Sequence, residues 1–286
     1  MELEKLIGNG VIVIDKPCGQ SSHEITTFVK KIVGVSRSGH AGTLDPKVSG
    51  VLPVALGRAT KLLRYIAGTN KTYVGIIKFR EPQPGKRIEE LFAQFTGEIV
   101  QMPPKMSAVR RRHRKRVIHH LNLLESNGRF GLFETKVDAG TYIRTLCVDI
   151  GKKCGGARME ELRRTAVGGI SEKQAFTMQE LIDAVHAWKE ENDSSSLEKM
   201  IHAPEEFIDL PKAFIKESAV QSVFTGAQVM VPALEKFENE VKGGERVALY
   251  SGKQFIGVGI AQISASELEE RNHGLAVKLE RVHKPD

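Results

Sequence analysis

Two stretches of mixed apolar and polar residues, Val117–Leu124 and Phe130–Val137, are separated by Ser126-Asn127-Gly128. Asn-Gly between such stretches is the strongest short-range signal for a β-hairpin, because both residues accept the positive φ angles of a two-residue turn. The middle of the chain is thereby committed to antiparallel sheet. Further strands are predicted at Val11–Asp15, which Lys16-Pro17 ends, at the apolar run Val51–Leu56 and at Thr72–Phe79. Helices fall between them at irregular intervals. Ser21 and Glu24 have capping-box spacing ahead of the apolar face Ile25, Phe28, Val29 and Ile32, and Thr177 and Glu180 repeat that signal for a helix running to about Glu191. Other helices are predicted near Ala59–Ile66, at Ile88–Phe95 and at Tyr142–Lys153, the last stopped by Gly155-Gly156. Strands and helices do not alternate as a doubly wound sheet requires.

A boundary is expected at Ala203–Pro211, where two prolines bracket a short apolar segment, dividing the chain into residues 1–208 and 209–286. The second part holds a helix at Lys216–Thr225 and strands at Arg246–Tyr250, Phe255–Ala261 and Leu275–Val282. It reads as a small barrel or sandwich, marginal alone and therefore expected to dock on the first part. No apolar run approaches the roughly eighteen residues of a membrane span, and Val11–Ile14 is too short for a secretory signal core. A soluble, non-exported chain is expected. Cysteines 18, 147 and 154 form no C-x-x-C pair, which fits reduced thiols in the cytoplasm and argues against structural zinc. Phosphate-loop, dinucleotide and G-x-S-x-G signatures are absent.

The net charge of +7 favours a polyanionic partner without proving one. Much of it gathers in KMSAVRRRHRKR, residues 105–116, with seven basic residues and no acid. Such a run matches a phosphate-contacting footprint, and it equally matches a solvated face or a localisation tag. In GHAGTLDPKVSG, residues 39–50, small residues allow close backbone approach and Pro46 biases Asp45 towards extended backbone. Asp45 is either a carboxylate presented at the mouth of a strand or an ordinary Asx-turn residue. Arg144, in GTYIR, is either its ion-pair partner or a solvated first-turn arginine. Leu162, within ELRRT, reads by itself as core.

Taken in order, VIDKPCGQSSHE, GHAGTLDPKVSGVLPVALGRATK, KTYV, AGTYIRTL and GGARMEELRRT resemble the TruB-type pseudouridine synthases. The segment FTGAQVMVPAL and the late glycine-rich strands resemble a PUA domain, a small RNA-binding barrel. Within that family the chain is most similar to the guide-RNA-directed box H/ACA branch related to dyskerin. The resemblance implies an α+β fold: a catalytic domain with a mixed, mainly antiparallel sheet and flanking helices, plus a mainly-β PUA barrel. It implies isomerisation of uridine to pseudouridine in rRNA, with a stand-alone synthase for the T-loop uridine of tRNA as the alternative. A non-catalytic RNA-binding scaffold is disfavoured because Asp45 and Arg144 are both retained.

By resemblance Asp45 is the catalytic aspartate, Tyr73 stacks on the target base and Arg144 pairs with the aspartate. Leu162 lines the uracil pocket, His40 lies beside the flipped nucleotide, and Lys16 with Pro17 supports the active-site loop while being grouped with the substrate-binding residues. Arg110, Arg111, Arg112, Arg114, Lys115 and Arg116 are the candidates for RNA-backbone contact. The carboxylate is expected either to attack C1′ or to act as a base at the adjacent ribose carbon. No metal or organic cofactor is implied. Implied partners are guide and target RNA, a small zinc-ribbon protein, a small β-barrel protein and, mainly through RNA, a kink-turn-binding ribosomal-type protein. The compartment is cytoplasmic, or nucleolar in a eukaryote.

Overall fold

The computed structural model describes residues 2–68, 70–103 and 110–284. A ten-stranded sheet organises the first two thirds of the chain. In chain order its principal elements are α1 (Glu2–Asn9), β1 (Val11–Lys16), α2 (Ser22–Val33), β2 (Ser38–His40), β3 (Ser49–Leu56), α3 (Leu63–Ile66), β4 (Asn70–Phe79), α4 (Gly85–Phe95), β5 (Gly97–Gln101), β6 (Arg114–Asn127), β7 (Phe130–Asp138), α5 (Ile143–Gly151), β8 (Ala157–Val167), β9 (Ile170–Ser171), α6 (Met178–Glu190), α7 (Ser195–Met200) and β10 (Ile201–His202). The spatial order is β10-β1-β3-β8-β4-β7-β6-β5, with β2 on β3 and β9 on β8. All pairings are antiparallel except that of β3 with β8, where Ser49 faces Arg163 and Gly50 faces Arg164. The expected mixed, mainly antiparallel sheet is therefore observed.

Strand patterning dictates which faces are covered. Every side chain of β1 except Asp15 is buried, the mark of a strand enclosed on both faces. Ile12 and Ile14 join α1, α2 and α6 in one core, while Val11 and Val13 join Tyr65, Phe207, Phe255 and Val258 on the other side. In β4 burial alternates strictly, so that Lys71, Tyr73, Gly75, Ile77 and Phe79 share the buried face. That face meets Leu91 and Phe92 of α4 and Ile143, Leu146 and Ile150 of α5. Both capping boxes form: the Ser21 amide donates to Glu24 at 2.7 Å, and that of Thr177 to Glu180 at 2.7 Å.

The tail is a six-stranded sheet of Val229–Met230, Leu275–Val282, Gln254–Ala261, Arg246–Ser251, Lys212–Ile215 and Leu234–Phe237, in that spatial order. Its two end strands are joined through the single tight turn Val231–Ala233, so the sheet curls nearly into a barrel. It docks as expected, placing Phe255 and Val258 in the core beside Val11 and Val13. Several elements differ from the sequence reading: β2, β5, β9, β10, α7 and the tail strands Val229–Met230, Leu234–Phe237 and Lys212–Ile215 were not anticipated, and the helix expected near Ala59–Ile66 is a tighter one at Gly57–Leu62 followed by α3. The helix expected at Lys216–Thr225 shortens to Val220–Phe224 after a tight turn at Glu217–Ala219. Helix α1 was not anticipated, and β8 lay hidden in a segment that reads as charged surface. Its burial is irregular because charged side chains flank its few buried ones.

His283, at the end of the last tail strand, is buried against α1 and accepts a hydrogen bond from Asn9 at 2.7 Å. Burial, aided by Arg58 and Lys61, holds its pKa down to about 4 from 6.5. The folded state keeps this ring neutral while an unfolded chain protonates it, so stability is lost as pH falls from about 6.5 towards 4. The full shift corresponds to about 3 kcal/mol. Urea unfolding of wild type and His283→Gln at neutral and acid pH is expected to show a smaller acid loss in the variant.

Candidate active site

The loop between β2 and β3 is clamped from several directions. Asp45-Pro46-Lys47-Val48 forms a backbone turn, with the Val48 amide donating to the Asp45 carbonyl at 2.9 Å, as expected for aspartate followed by proline. The buried Ser22 hydroxyl, at the start of α2, accepts from the Leu44 amide at 2.8 Å and donates to its carbonyl at 3.0 Å. The Lys16 ammonium donates to the carbonyls of Pro17 (2.7 Å), Gln20 (2.6 Å) and Pro46 (3.3 Å). Lys16 is fully buried, and burial lowers its pKa. Its grouping with substrate-binding residues is corrected accordingly: its donors are turned to carbonyls, and it braces the loop.

From below, Arg164 of β8 holds both ends of this loop. Its Nη2 donates to the Gly42 carbonyl at 2.9 Å and its Nε to the Val51 carbonyl at 2.8 Å. Gly50, at φ 104°, lies so close to β8 that a Cβ there would stand 2.1 Å from the Arg164 carbonyl oxygen. A side chain at Gly50 would push the two strands apart.

These supports leave the Asp45 carboxylate free above the loop, where Arg144 of α5 donates to it. The pair is open, the side chains being 52% and 50% exposed. Water screening makes such a pair a weak contributor to stability. What it supplies is a carboxylate whose direction is fixed at an exposed position. Beside it, Tyr73 and Leu162 share one face of adjacent strands, with Tyr73 opposite Arg164 and Gly75 opposite Leu162. A Cβ at Gly75 would come within 2.7 Å of Leu162 Cδ1, so the glycine is what allows the leucine to lie flat across β4. Burial raises the Tyr73 pKa and keeps the phenol neutral. His40, at the end of β2, is half-buried; burial first, then Arg164 and His23, lower its pKa.

Arg110, Arg111 and Arg112 are exposed, and residues 105–109 of the basic run lie outside the described residues. Lys115 pairs with Glu98 at 3.0 Å, and the Arg116 guanidinium packs against Gly140, just ahead of α5. Lys71, Ser22 and Arg164 were missed as site residues. The signal for Arg164 was its two-residue spacing from Leu162, which places both on one face once the segment is read as a strand. Among the described residues, no group of three or more His, Cys, Asp and Glu side chains is placed to hold a metal ion, and no helix is long and apolar enough to cross a membrane.

Comparison with known proteins agrees with this geometry. Residues 30–86 match the TruB family pseudouridylate synthase N-terminal domain, residues 144–209 the tRNA pseudouridylate synthase B C-terminal domain, and residues 211–283 the PUA domain. A probable tRNA pseudouridine synthase B of Pyrobaculum aerophilum is 41% identical over 98% of this chain and 85% of its own length. The Methanocaldococcus jannaschii protein of the same name is 43% identical over 99% of this chain and 85% of its own. Among solved structures, Cbf5 in a Cbf5-Nop10-Gar1 complex superposes with TM-score 0.93 at 41% identity, over 99% of this chain and 87% of that one. A chain from an H/ACA RNP bound to a substrate RNA containing 2′-deoxyuridine superposes with TM-score 0.92 at 39% identity, with 99% and 87% covered.

Ser22→Ala would strand the buried amide and carbonyl of Leu44. A loss of about 1–3 kcal/mol is expected in urea unfolding, with faster amide exchange confined to the loop around Leu44.

Proposed function

The chain belongs to the TruB family of pseudouridylate synthases, RNA-modifying isomerases, and on that premise we propose that it works as the catalytic subunit of a box H/ACA ribonucleoprotein, with target choice delegated to a guide RNA. The observation that carries this reading is superposition over 99% of the chain, at TM-scores of 0.90 to 0.93, on proteins from H/ACA assemblies. Small proteins of the Nop10 and Gar1 kind and a kink-turn-binding protein are its proposed partners, in the cytoplasm. Residues 1–208 form the catalytic unit and 209–286 the RNA-binding unit. The curated relatives' name favours a second reading, a stand-alone synthase for a tRNA T-loop uridine. Protein with tRNA transcript alone, against protein with guide RNA and accessory subunits, separates the two. Multiple turnover on tRNA without any guide-dependent gain on rRNA would reject the first.

The chemistry follows from the site. Isomerisation breaks the N1–C1′ bond of uridine and forms C5–C1′ with no net gain or loss of atoms, so the freed base has to stay in place and water has to stay out. The uridine leaves its stack to reach the site. Tyr73 and Leu162, adjacent on β4 and β8, supply an aromatic and an aliphatic surface for its ring. Asp45, aimed by Arg144, acts on the ribose as a nucleophile at C1′ or as a base at the neighbouring carbon. His40 lies beside the unstacked nucleotide at the start of the same loop.

Asp45→Asn is expected to abolish product in pseudouridine mapping while leaving RNA affinity within a fewfold of wild type. Tyr73→Ala is expected to lower the single-turnover rate more than affinity, since most affinity comes from phosphate contacts. Equal losses in both quantities would remove the base-clamp role.

The exposed Arg110, Arg111 and Arg112 are the proposed phosphate contacts, and the tail the proposed reader of the guide's ACA end. Their triple alanine variant is expected to bind RNA more weakly, with a salt dependence flatter by up to about one unit of slope per lost contact, and to keep its preference for an intact ACA. Filter binding across a salt series measures both effects. Unchanged affinity and slope would assign the run to a solvated face.

A further inference from the structure

Beneath the aspartate loop two cationic side chains are buried together without an acid. Arg164 is wholly inaccessible and Lys71 is 8% exposed. The position a Cβ on Gly42 would occupy is 3.3 Å from Lys71 Cε and 3.4 Å from Arg164 Nη1, so the two side chains flank the same point under the loop. The nearby carboxylates Asp15 and Glu172 are taken by Arg163, on the opposite face of β8, at 2.8 and 2.9 Å. Two guanidinium nitrogens of Arg164 hold the loop carbonyls of Gly42 and Val51 and the buried Tyr73 phenol lies beside the guanidinium, while Nη1 has no aligned hydrogen-bond acceptor among the described residues. The Lys71 amine donates to the Ala67 carbonyl at 3.3 Å.

An orphaned buried donor and a buried like-charge pair are each unfavourable, and one proton removes both problems. A neutral amine carries a lone pair and accepts a hydrogen bond. An ammonium has none and repels the guanidinium. We propose that Lys71 is a positioning residue for the reaction at Asp45: as a neutral amine it accepts from Arg164 Nη1, and so immobilises the guanidinium that ties down both ends of the aspartate loop. The inference rests on the reading of Asp45 given above.

The surroundings agree in direction. Burial, and after it the charge of Arg164, lower the Lys71 pKa to about 8 from 10.5. The charged and titratable groups that share this space are Arg164 on β8, Tyr73 on β4, Lys16 on β1, His40 on β2 and Asp45 on the loop itself. Below that pKa Lys71 is an ammonium, the pair repels and the loop loosens. Above it the amine is neutral and the loop is held. The rate is therefore expected to rise with pH through the value near 8, while RNA affinity, set by phosphate contacts elsewhere, stays level.

The test uses full-length protein and three lysine states. Wild type is expected to gain several-fold in single-turnover rate between about pH 7 and about pH 9. Lys71→Met, neutral at every pH, is expected to lose that rise. Lys71→Arg, charged at every pH, is expected to stay at the low-pH rate throughout, with RNA affinity unchanged in both. Heteronuclear NMR of isotope-labelled lysine, compared with Lys71→Met to assign the signal, is expected to find Lys71 titrating near 8. Protection of the amides between Gly42 and Asp45, taken as the exchange rate relative to the hydroxide-catalysed intrinsic rate at each pH, is expected to rise across the same window. A Lys71 titration near its ordinary 10.5, or a pH rise that persists in Lys71→Met, would overturn the proposal. Should the protein form no pseudouridine at any pH, the proposed function fails by itself. The NMR titration and loop protection then decide the Lys71 proposal alone, protection that stays level with pH overturning it.

Discussion

The guanidinium of Arg164 is the constraint on which the site depends. It lies wholly inside the protein, holds the Gly42 and Val51 carbonyls, and belongs to a strand against which Gly50 packs with no room for a side chain. A buried cation without an acid is costly, and its hydrogen bonds to fixed carbonyls are what make the position tolerable. The cost is local and the effect directional: a loop rich in glycine and small residues, which would otherwise sample many conformations, is held at both ends from below.

That arrangement separates a dry underside from a wet upper surface. Lys16, Ser22 and Arg164 are buried and spend their hydrogen bonds on loop backbone. Asp45 and Arg144 are half exposed and spend theirs on each other. Polar groups that stabilise the loop and polar groups presented at its open surface are thus different residues, with different dielectric surroundings. The open pair adds little to folding, because water screens it, and is free to be tuned for chemistry.

Strand β8 links the two functions of the sheet. It pairs with β3 on one side and β4 on the other, so a single strand carries Leu162 next to Tyr73 and Arg164 beneath Asp45. The tail joins this framework through apolar contact, Phe255 and Val258 covering, together with Tyr65 and Ile66 of α3, the side of β1 turned away from α1, α2 and α6. Packing the PUA-matching tail on the same strand layer that ends at Lys16 gives the tail sheet and the aspartate loop a common base.

Much of the site was legible in the residues. The capping boxes at Ser21 and Thr177, the Asn127-Gly128 hairpin, the Asp45-Pro46 turn and the pairing of Asp45 with Arg144 all rest on local stereochemistry or on a motif. They hold in the structure for the same reasons, except that the hairpin turns one residue later: Asn127 closes β6 opposite Phe130, the turn is Gly128-Arg129, and of the expected pair only Gly128 takes a positive φ. Tyr73 and Leu162 needed more than pattern, since only the pairing of β4 with β8 makes them neighbours. Lys71 was not legible, and Arg164 is legible only once its segment is known to be a strand that puts it on the face of Leu162. Each reads as one more charge in a basic chain, and ELRRT alone gives no sign which arginine faces Asp15 and which goes inside. The sequence by itself determined the strands, the turns, the capped helices and the chemical inventory of the loop, because those depend on neighbours along the chain. Which charges are buried, and so which proton states and hydrogen bonds hold Asp45 in place, was decided only by the tertiary structure, because desolvation depends on what packs around a group from strands far apart in sequence.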